Sequence, residues 1–389
     1  TPPFSYCGRQ CILHPVDFYG LILDSEVMKK RRIILRDGDI LSAAIPESLS
    51  ERRDIARNQD DLTEKFFEEF DSNTVFYDSY FGIDGSFYVI GPPLRNLETH
   101  VKLQISGKEA PVESRKKLKK FDLIDAGHLP NVDSIEFKIG DTTKRVQGEI
   151  SGPCRVFEGT TAIFTMFRYE PVHWIVEWVK YHVLVHGIDA VLLYLNNSDH
   201  TDVDEVANCL DEIEGLSAYG VVEWNFPYGP AGRICGKHPY KSAFLQVSTF
   251  EHARSRFLGK CRYVLNLDID ELLVTPDAVS VVDMMERKGC SGILLPEVRI
   301  GSDSNSSRSI EDRHYRMYQG ISNEIPFGKN KWLIDPRVSK SPGSWMVHRI
   351  EDVKIQKCEG IWVAHFDPMS VDWKQGGRLL HLAGNTKPK

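Results

Sequence analysis

TAIFTMFRYEPVHWIVEWVKYHVLVHGIDAVLLYL (161–195) reads as strand, helix, strand. TAIFTMF (161–167) and AVLLYL (190–195) are apolar runs of strand length. Between them Ile175, Trp178, Val179, His182 and Val183 recur at helical spacing, Pro171 suits a first helical turn and Gly187 a C-terminal cap. Such a unit predicts two parallel strands joined by a crossover helix. The rhythm continues downstream with a helix over DVDEVANCLDEIEG (202–215), a strand over GVVEWNF (220–226) and a helix around 240–258. A strand over RYVLNL (262–267), a helix over SVVDMMERKG (280–289) and a strand over SGILLPEVRI (291–300) complete it. The expected fold is α/β: a Rossmann-like, mainly parallel sheet flanked by helices.

Upstream the pattern changes. NTVFYDSYF (73–81), GSFYVIG (85–91), HVKLQI (100–105) and SIEFKIG (134–140) are short β-branched or alternating runs between turn residues. They predict a small β-rich, sandwich-like domain over 1–155 preceding an α/β domain over 156–389. Ser48 to Phe70 is charged and helix-permissive, and SRKKLKK (114–120) reads as a solvated loop.

Composition narrows the function. The chain has 389 residues, 41% of them hydrophobic, enough for real cores in two domains. With 48 basic against 55 acidic residues, net −7, it lacks the positive surface that would neutralise a nucleic-acid backbone. The eight cysteines form no paired CxxC arrangement, so no zinc ribbon is indicated, and disulfides are permitted but not required. No apolar run reaches the about 18 residues of a membrane span. The first residue is Thr1, which leaves room for a signal peptide or membrane anchor ahead of this numbering.

The chemistry is concentrated where strands end. In open α/β sheets ligands bind beyond the carboxyl ends of the strands. Three of these ends carry polar clusters: Arg168-Tyr169-Glu170, Asn196-Asn197-Ser198-Asp199 and Asp268-Ile269-Asp270-Glu271. In LNLDIDELL (265–273) two carboxylates flank one residue at the end of an apolar strand, an arrangement that grips a hard divalent cation such as Mg2+ or Mn2+. A cation there cancels the repulsion of the acids and stabilises charge on a departing diphosphate. The competing structural reading has Asp268 capping a turn while Asp270 and Glu271 face water.

From about Thr161 to Arg378 the chain resembles glycosyltransferases of the GT-A fold, and most closely glycosyltransferase family 92. The segments that carry the resemblance are RYEPVHWIVEWVKYHVLVHGIDAVLLYLNNSD (168–199), Gln246 in the helix before the fourth strand, LNLDIDELL, KWLIDPRV (331–338) and VAHFDPMSVDWKQGGR (363–378). Tyr169, Asp335 and Met369 depart from that pattern and bear on donor or acceptor specificity. FYDSYFGIDGSFYVIG (76–91) is similar to the β-rich region preceding such catalytic domains.

The resemblance implies an inverting, metal-dependent transfer of a sugar from a nucleotide sugar such as UDP-galactose to a glycan or polysaccharide acceptor. Asp268 and Asp270 would hold Mn2+ or Mg2+ and the donor diphosphate. His365 or His348 would supply a third metal ligand. Arg168, Glu170, Asn196 and Asp199 would lie near the nucleoside, with Gln246 also on the donor side, and Lys329 and Lys331 would offset diphosphate charge. Glu297, Asp303, Glu311 and Asp312 are candidates for the base that activates the acceptor hydroxyl. GSDSNSSRS (301–309) reads as an acceptor-side loop. Such an enzyme of a eukaryote would work in the Golgi lumen or another secretory compartment; otherwise it would be cytoplasmic or membrane-associated.

Other residues admit two readings. Trp224, Trp332, Trp345, Trp362 and Trp373 are core aromatics or sugar-stacking platforms, Trp332 being the better platform because basic residues neighbour it. Sequons at Asn196 and Asn305 fall in the expected site region, where glycans would be awkward. LDIDELL also resembles the opening motif of haloacid-dehalogenase phosphatases, with Glu351-Asp352 as the late acidic pair that chemistry needs. A non-catalytic carbohydrate-binding or scaffold protein is the remaining alternative.

Overall fold

The computed structural model describes residues 29–109, 115–129, 132, 134–146, 152–197, 201–300, 312–315, 324–366 and 369. A ten-stranded sheet organises most of them. We number its main strands and their helices in chain order: β1 (Arg31–Leu35), β2 (Thr161–Phe167), α1 (Val172–His186), β3 (Ala190–Leu195), α2 (Val203–Asp211), β4 (Ala218–Glu223), α3 (Leu245–His252), β5 (Tyr263–Asn266), β6 (Glu271–Val274), α4 (Val281–Lys288), β7 (Gly292–Ile300), β8 (Glu324–Ile334) and β9 (Trp362–Phe366). The strand order is β1-β4-β3-β2-β5-β8-β7-β9-β6, with the short strand Gln356–Lys357 added beside β7. The half from β1 to β5 is parallel throughout. The other half is mixed, with β5/β8, β7/β8 and β6/β9 antiparallel and β7/β9 parallel.

The parallel half follows from side-chain alternation. Val191, Leu193 and Leu195 of β3 and Tyr219 and Val221 of β4 point to one face, under Trp174, Ile175 and Trp178 of α1 and the apolar side of α2. Ala190, Leu192, Tyr194, Ala218 and Val222 point to the other face, under Leu245 and Phe250 of α3. The ends of α1 and α2 are capped. Asp202 accepts the Asp204 N–H at the start of α2, and Gly187, at φ +68°, closes α1 in the left-handed conformation that glycine adopts without strain. Beyond His252, α3 continues as a wider π-helical turn over Ala253–Leu258.

The front region contains two four-stranded antiparallel sheets. One joins Asp78–Phe81, Ser86–Gly91, Asp122–His128 and Arg115–Lys117; the other joins Val101–Ile105, Lys108–Glu109, Ile135–Ile139 and Thr142–Val146. Ser86–Gly91 is buried along its whole length because both of its faces are covered. Phe87 and Val89 pack toward the second sheet, Tyr88 and Ile90 toward α3 and the large sheet. Three expectations are corrected here. β1 adds to the edge of the large sheet, with Arg31 to Leu35 opposite Ala218 to Val222, so the front of the chain is not wholly separate from the α/β unit. Arg115–Lys117 pairs as a strand with Asp122–Ile124 instead of forming a loop. Within 48–70 the α-helix is confined to Glu64–Glu69.

Candidate active site

The Asp268-Ile269-Asp270 turn lies between β5 and β6, and sheet pairing decides what surrounds it. In the antiparallel β6/β9 ladder Glu271 is opposite His365, and the Phe366 N–H extends the ladder to the Asp270 carbonyl at 2.8 Å. From the other side, β8 brings Lys331 in opposite Leu295 of β7. Glu297 follows at the irregularity of the β7/β8 ladder between Pro296 and Val298, where β9 joins the other edge of β7 with Val363 opposite Glu297. The site therefore forms where β7 keeps β8 on one edge and passes from the short strand Gln356–Lys357 to β9 on the other.

Helix α1 fixes the strand behind the turn. Trp178 Nε1 donates to the Glu271 carbonyl at 2.9 Å, and the Tyr181 hydroxyl and His186 Nε2 donate to the Leu273 carbonyl at 2.7 and 2.8 Å. His182 Nδ1 donates to the Trp178 carbonyl, which leaves Nε2 to accept the Leu273 N–H at 3.3 Å. That tautomer is neutral, and burial pushes its pKa well below the ordinary histidine value. The residues that looked like helical core periodicity are thus also the brace of the acidic turn.

Around the turn the charges are paired closely. Lys331, 1% exposed, has its ammonium 2.7 Å from Asp268 Oδ2 and 3.1 Å from Glu271 Oε2. Burial opposes its charge, but Asp268, Glu271 and Glu297 outweigh burial and raise its pKa. The Asp268 N–H donates to Glu271 Oε2 at 2.8 Å. His365 Nδ1 is 3.2 Å from Glu271 Oε1, and its Nε2 is 3.8 Å from Asp270 Oδ2. Burial raises the Asp270 carboxyl to about 7 against the pull of His365, with Glu271, Asp268 and Glu170 adding to the rise. Burial would lower the His365 imidazole, yet Asp270 and Glu271 lift it to about 10.

These residues fit a divalent cation. Ligand atoms of Asp270, Glu271 and His365 all lie within 4.8 Å of one another, and two carboxylates with one imidazole suit Mn2+ or Mg2+. Glu271 engages Nδ1 of His365, an orienting arrangement common at metal sites, and so leaves Nε2 turned toward Asp270. Asp268 faces Lys331 instead, and also lines a cleft with Thr165, Gln246, Thr249 and Asn266 at the ends of β2 and β5.

The other sequence candidates divide. Gln246 opens on that cleft and accepts the Tyr228 hydroxyl at 2.8 Å. Glu170 accepts the Arg168 and Tyr169 N–H groups at 2.7 and 3.0 Å, shaping the loop after β2, while the Arg168 guanidinium stacks on the Tyr169 ring. Glu297 is buried; burial raises its pKa, but His348 and Lys331 bring it below the usual carboxylate value. His348 Nδ1 is 3.5 Å from Glu297 and donates to the Asn330 carbonyl, apart from the Asp270–His365 pair. Asp312 lies in a turn, exposed, and Lys329 is exposed on β8. Asp199, Asp303, Glu311, the 301–309 loop, Trp373 and Asn305 lie outside the described residues.

Several readings need correction. Asn196 is wholly buried and its amide donates to the Trp224 and Phe226 carbonyls at 2.7 and 2.9 Å, so it ties strand ends together instead of facing a nucleoside. The same burial closes its sequon to a glycan in the folded chain. Trp332 is a core residue, fully buried with its Nε1 donating to the Met346 carbonyl, and offers no face to a sugar. The acidic pair expected of a phosphatase is spent locally: Glu351 pairs with Arg349, and Asp352 accepts from Ser339 and Ser341.

Tyr315 went unread in the sequence. Its hydroxyl donates to the carbonyl of Ile269, the residue between the two aspartates. It lies on the short stretch 312–315, whose Arg313 carbonyl accepts from Trp174 Nε1 at 2.8 Å. An isolated tyrosine among polar residues gives no local signal of such a contact.

Residues 160–338 match the family model described as Glycosyltransferase family 92. A glycosyltransferase family 92 protein of Ricinus communis is 26% identical over 142 residues, 36% of this chain and 22% of that protein. The chain thus spans about a fifth of the length of that curated relative. Among solved structures, the mannosyltransferase Ktr4p of S. cerevisiae in complex with GDP matches at 12% identity with a TM-score of 0.28, over 47% of this chain and 58% of that one.

Proposed function

We propose that this chain, whose residues 160–338 match the glycosyltransferase family 92 model, is a glycosyltransferase that moves a sugar from a nucleotide sugar to a glycan or polysaccharide acceptor. The observation that carries the reading beyond the family is the joining of Asp270, Glu271 and His365 beside Asp268 and Lys331, at the carboxyl end of β5. UDP-sugars, galactose among them, are the proposed donors.

Asp270 and His365 Nε2 would hold Mn2+ or Mg2+, with Glu271 orienting the imidazole. The cation, when bound, would stabilise the charge growing on the diphosphate as the glycosidic bond to it breaks. Lys331 supplies a fixed positive charge at the same place. Gln246, half-buried on the narrow cleft beside Asp268, would be the side chain on the donor side. An inverting transfer needs a base on the acceptor side. Among the described acids Glu297 is the first choice, because His348 and Lys331 keep it ionised next to the cluster; Asp312 is the second, with Asp303 the further candidate. In a eukaryote the matching setting would be a secretory compartment, and otherwise the cytoplasm or a membrane surface.

The test is a screen of UDP- and GDP-sugars with Mn2+, reading released nucleoside diphosphate with and without acceptor glycans. The reading expects metal-dependent release from at least one donor, reduced about a hundredfold or more in Asp270→Asn. A chain that binds glycans but no nucleotide sugar under any metal would be a carbohydrate-binding protein instead.

A further inference from the structure

Two of the three carbonyls of the acidic turn are held from distant segments, while that of Asp268 accepts the Glu271 N–H at 3.1 Å. The Tyr315 hydroxyl donates to the carbonyl of Ile269, and the Phe366 N–H donates to that of Asp270 at 2.8 Å. The two rings meet edge to face, with centroids 5.5 Å apart. Tyr315 is 7% exposed, so its hydroxyl has exchanged water for a backbone partner. Its own segment is fixed by α1: Trp174 Nε1 and His173 Nε2 both reach the Arg313 carbonyl, and His314 pairs with Glu177 at 2.8 Å. A rigid helix is thereby linked, through one phenol, to the peptide between Asp268 and Asp270. Rotation of that peptide would swing the two carboxylates relative to each other and to His365.

We propose that Tyr315 is a positioning residue, acting through the Ile269 carbonyl to set the geometry in which Asp270 and His365 take a divalent cation. This rests on the metal-dependent reading of the site given above. Tyr315 touches neither cation nor donor; its effect passes through the main chain.

The test compares Tyr315→Phe with the full wild-type chain by calorimetric titration of Mn2+ alone, without nucleotide, and follows thermal unfolding of each. The variant keeps the ring against Phe366 and loses only the hydrogen bond. Mn2+ affinity should fall about three- to tenfold, the range of one buried hydrogen bond, while the unfolding midpoint in EDTA moves by no more than a few degrees. Phe366→Leu is the control for packing: it keeps its N–H, so it should lower the midpoint and leave Mn2+ affinity close to wild type. Unchanged affinity in Tyr315→Phe, or an equal loss in Phe366→Leu, overturns the positioning role and leaves the functional reading standing. A wild-type chain that binds no Mn2+ overturns both.

Discussion

Lys331 gives the acidic turn a meaning that its aspartates alone do not have. Four carboxylates, those of Asp268, Asp270, Glu271 and Glu297, gather around one fully buried ammonium and one imidazole. Grouped acids at this density repel strongly in a low-dielectric setting, so an internal cation is what lets them coexist. Lys331→Met keeps the stem volume and removes the charge. It should destabilise the fold by about 3–5 kcal/mol, the usual cost of breaking a buried ion pair on one side. Urea unfolding in EDTA checks this, and added Mn2+ should recover part of the loss if the same carboxylates bind it. A variant as stable as wild type would mean that the carboxylates are held by other means.

At the scale of elements, α3 and the front strand Asp78–Phe81 share a buried polar junction. His252 Nε2 is 2.9 Å from Asp78 Oδ2, Arg256 joins the same carboxylate, and His252 Nδ1 meets the Tyr194 hydroxyl at 2.8 Å. Trp224 stacks on the His252 ring. Burial holds the His252 imidazole down to about 4, although Asp78 pulls the other way. Its folded pKa lies below the ordinary 6.5, so the unfolded chain takes up the proton first. The stability from this group is complete above about 6.5 and is lost as pH falls toward 4. His186, also held down to about 4 by burial, acts in the same direction. The thermal midpoint should therefore fall through this window, and His252→Gln should be less stable at neutral pH but show a shallower fall. An equally steep fall in the variant would place the proton uptake elsewhere.

At the scale of the whole molecule, the front sheets share a core with the large sheet. Tyr80, Tyr88, Ile90 and Leu123 share one apolar cluster with Phe164, Leu192, Phe250 and Phe257. β1 also closes the edge of the parallel half. A fragment of residues 156–389 would expose this face and leave His252 and Arg256 without Asp78. It should lack cooperative unfolding by near-ultraviolet circular dichroism and be cut rapidly by protease. A stable, cooperatively folding fragment would show that the front sheets are dispensable to the fold.

The sequence by itself determined the parallel half of the sheet. The apolar runs TAIFTMF and AVLLYL, the helical spacing around Trp178 and the cap at Gly187 are local signals, each legible within a few residues. It also located the acidic turn, since two aspartates at the end of an apolar strand are costly without a purpose. The family resemblance named His365 and Lys331 as candidates, but no local pattern revealed how they and Tyr315 meet that turn. His365 meets Glu271 only through the register of β6 and β9, 94 residues apart. Lys331 enters on β8, and Tyr315 reaches Ile269 from a segment docked on α1. Burial likewise decided that Asn196 and Trp332 are structural, because a side chain's polarity says what it can bind but only the surrounding chain says whether anything can reach it. Local periodicity wrote the elements; long-range pairing and burial assembled the charges.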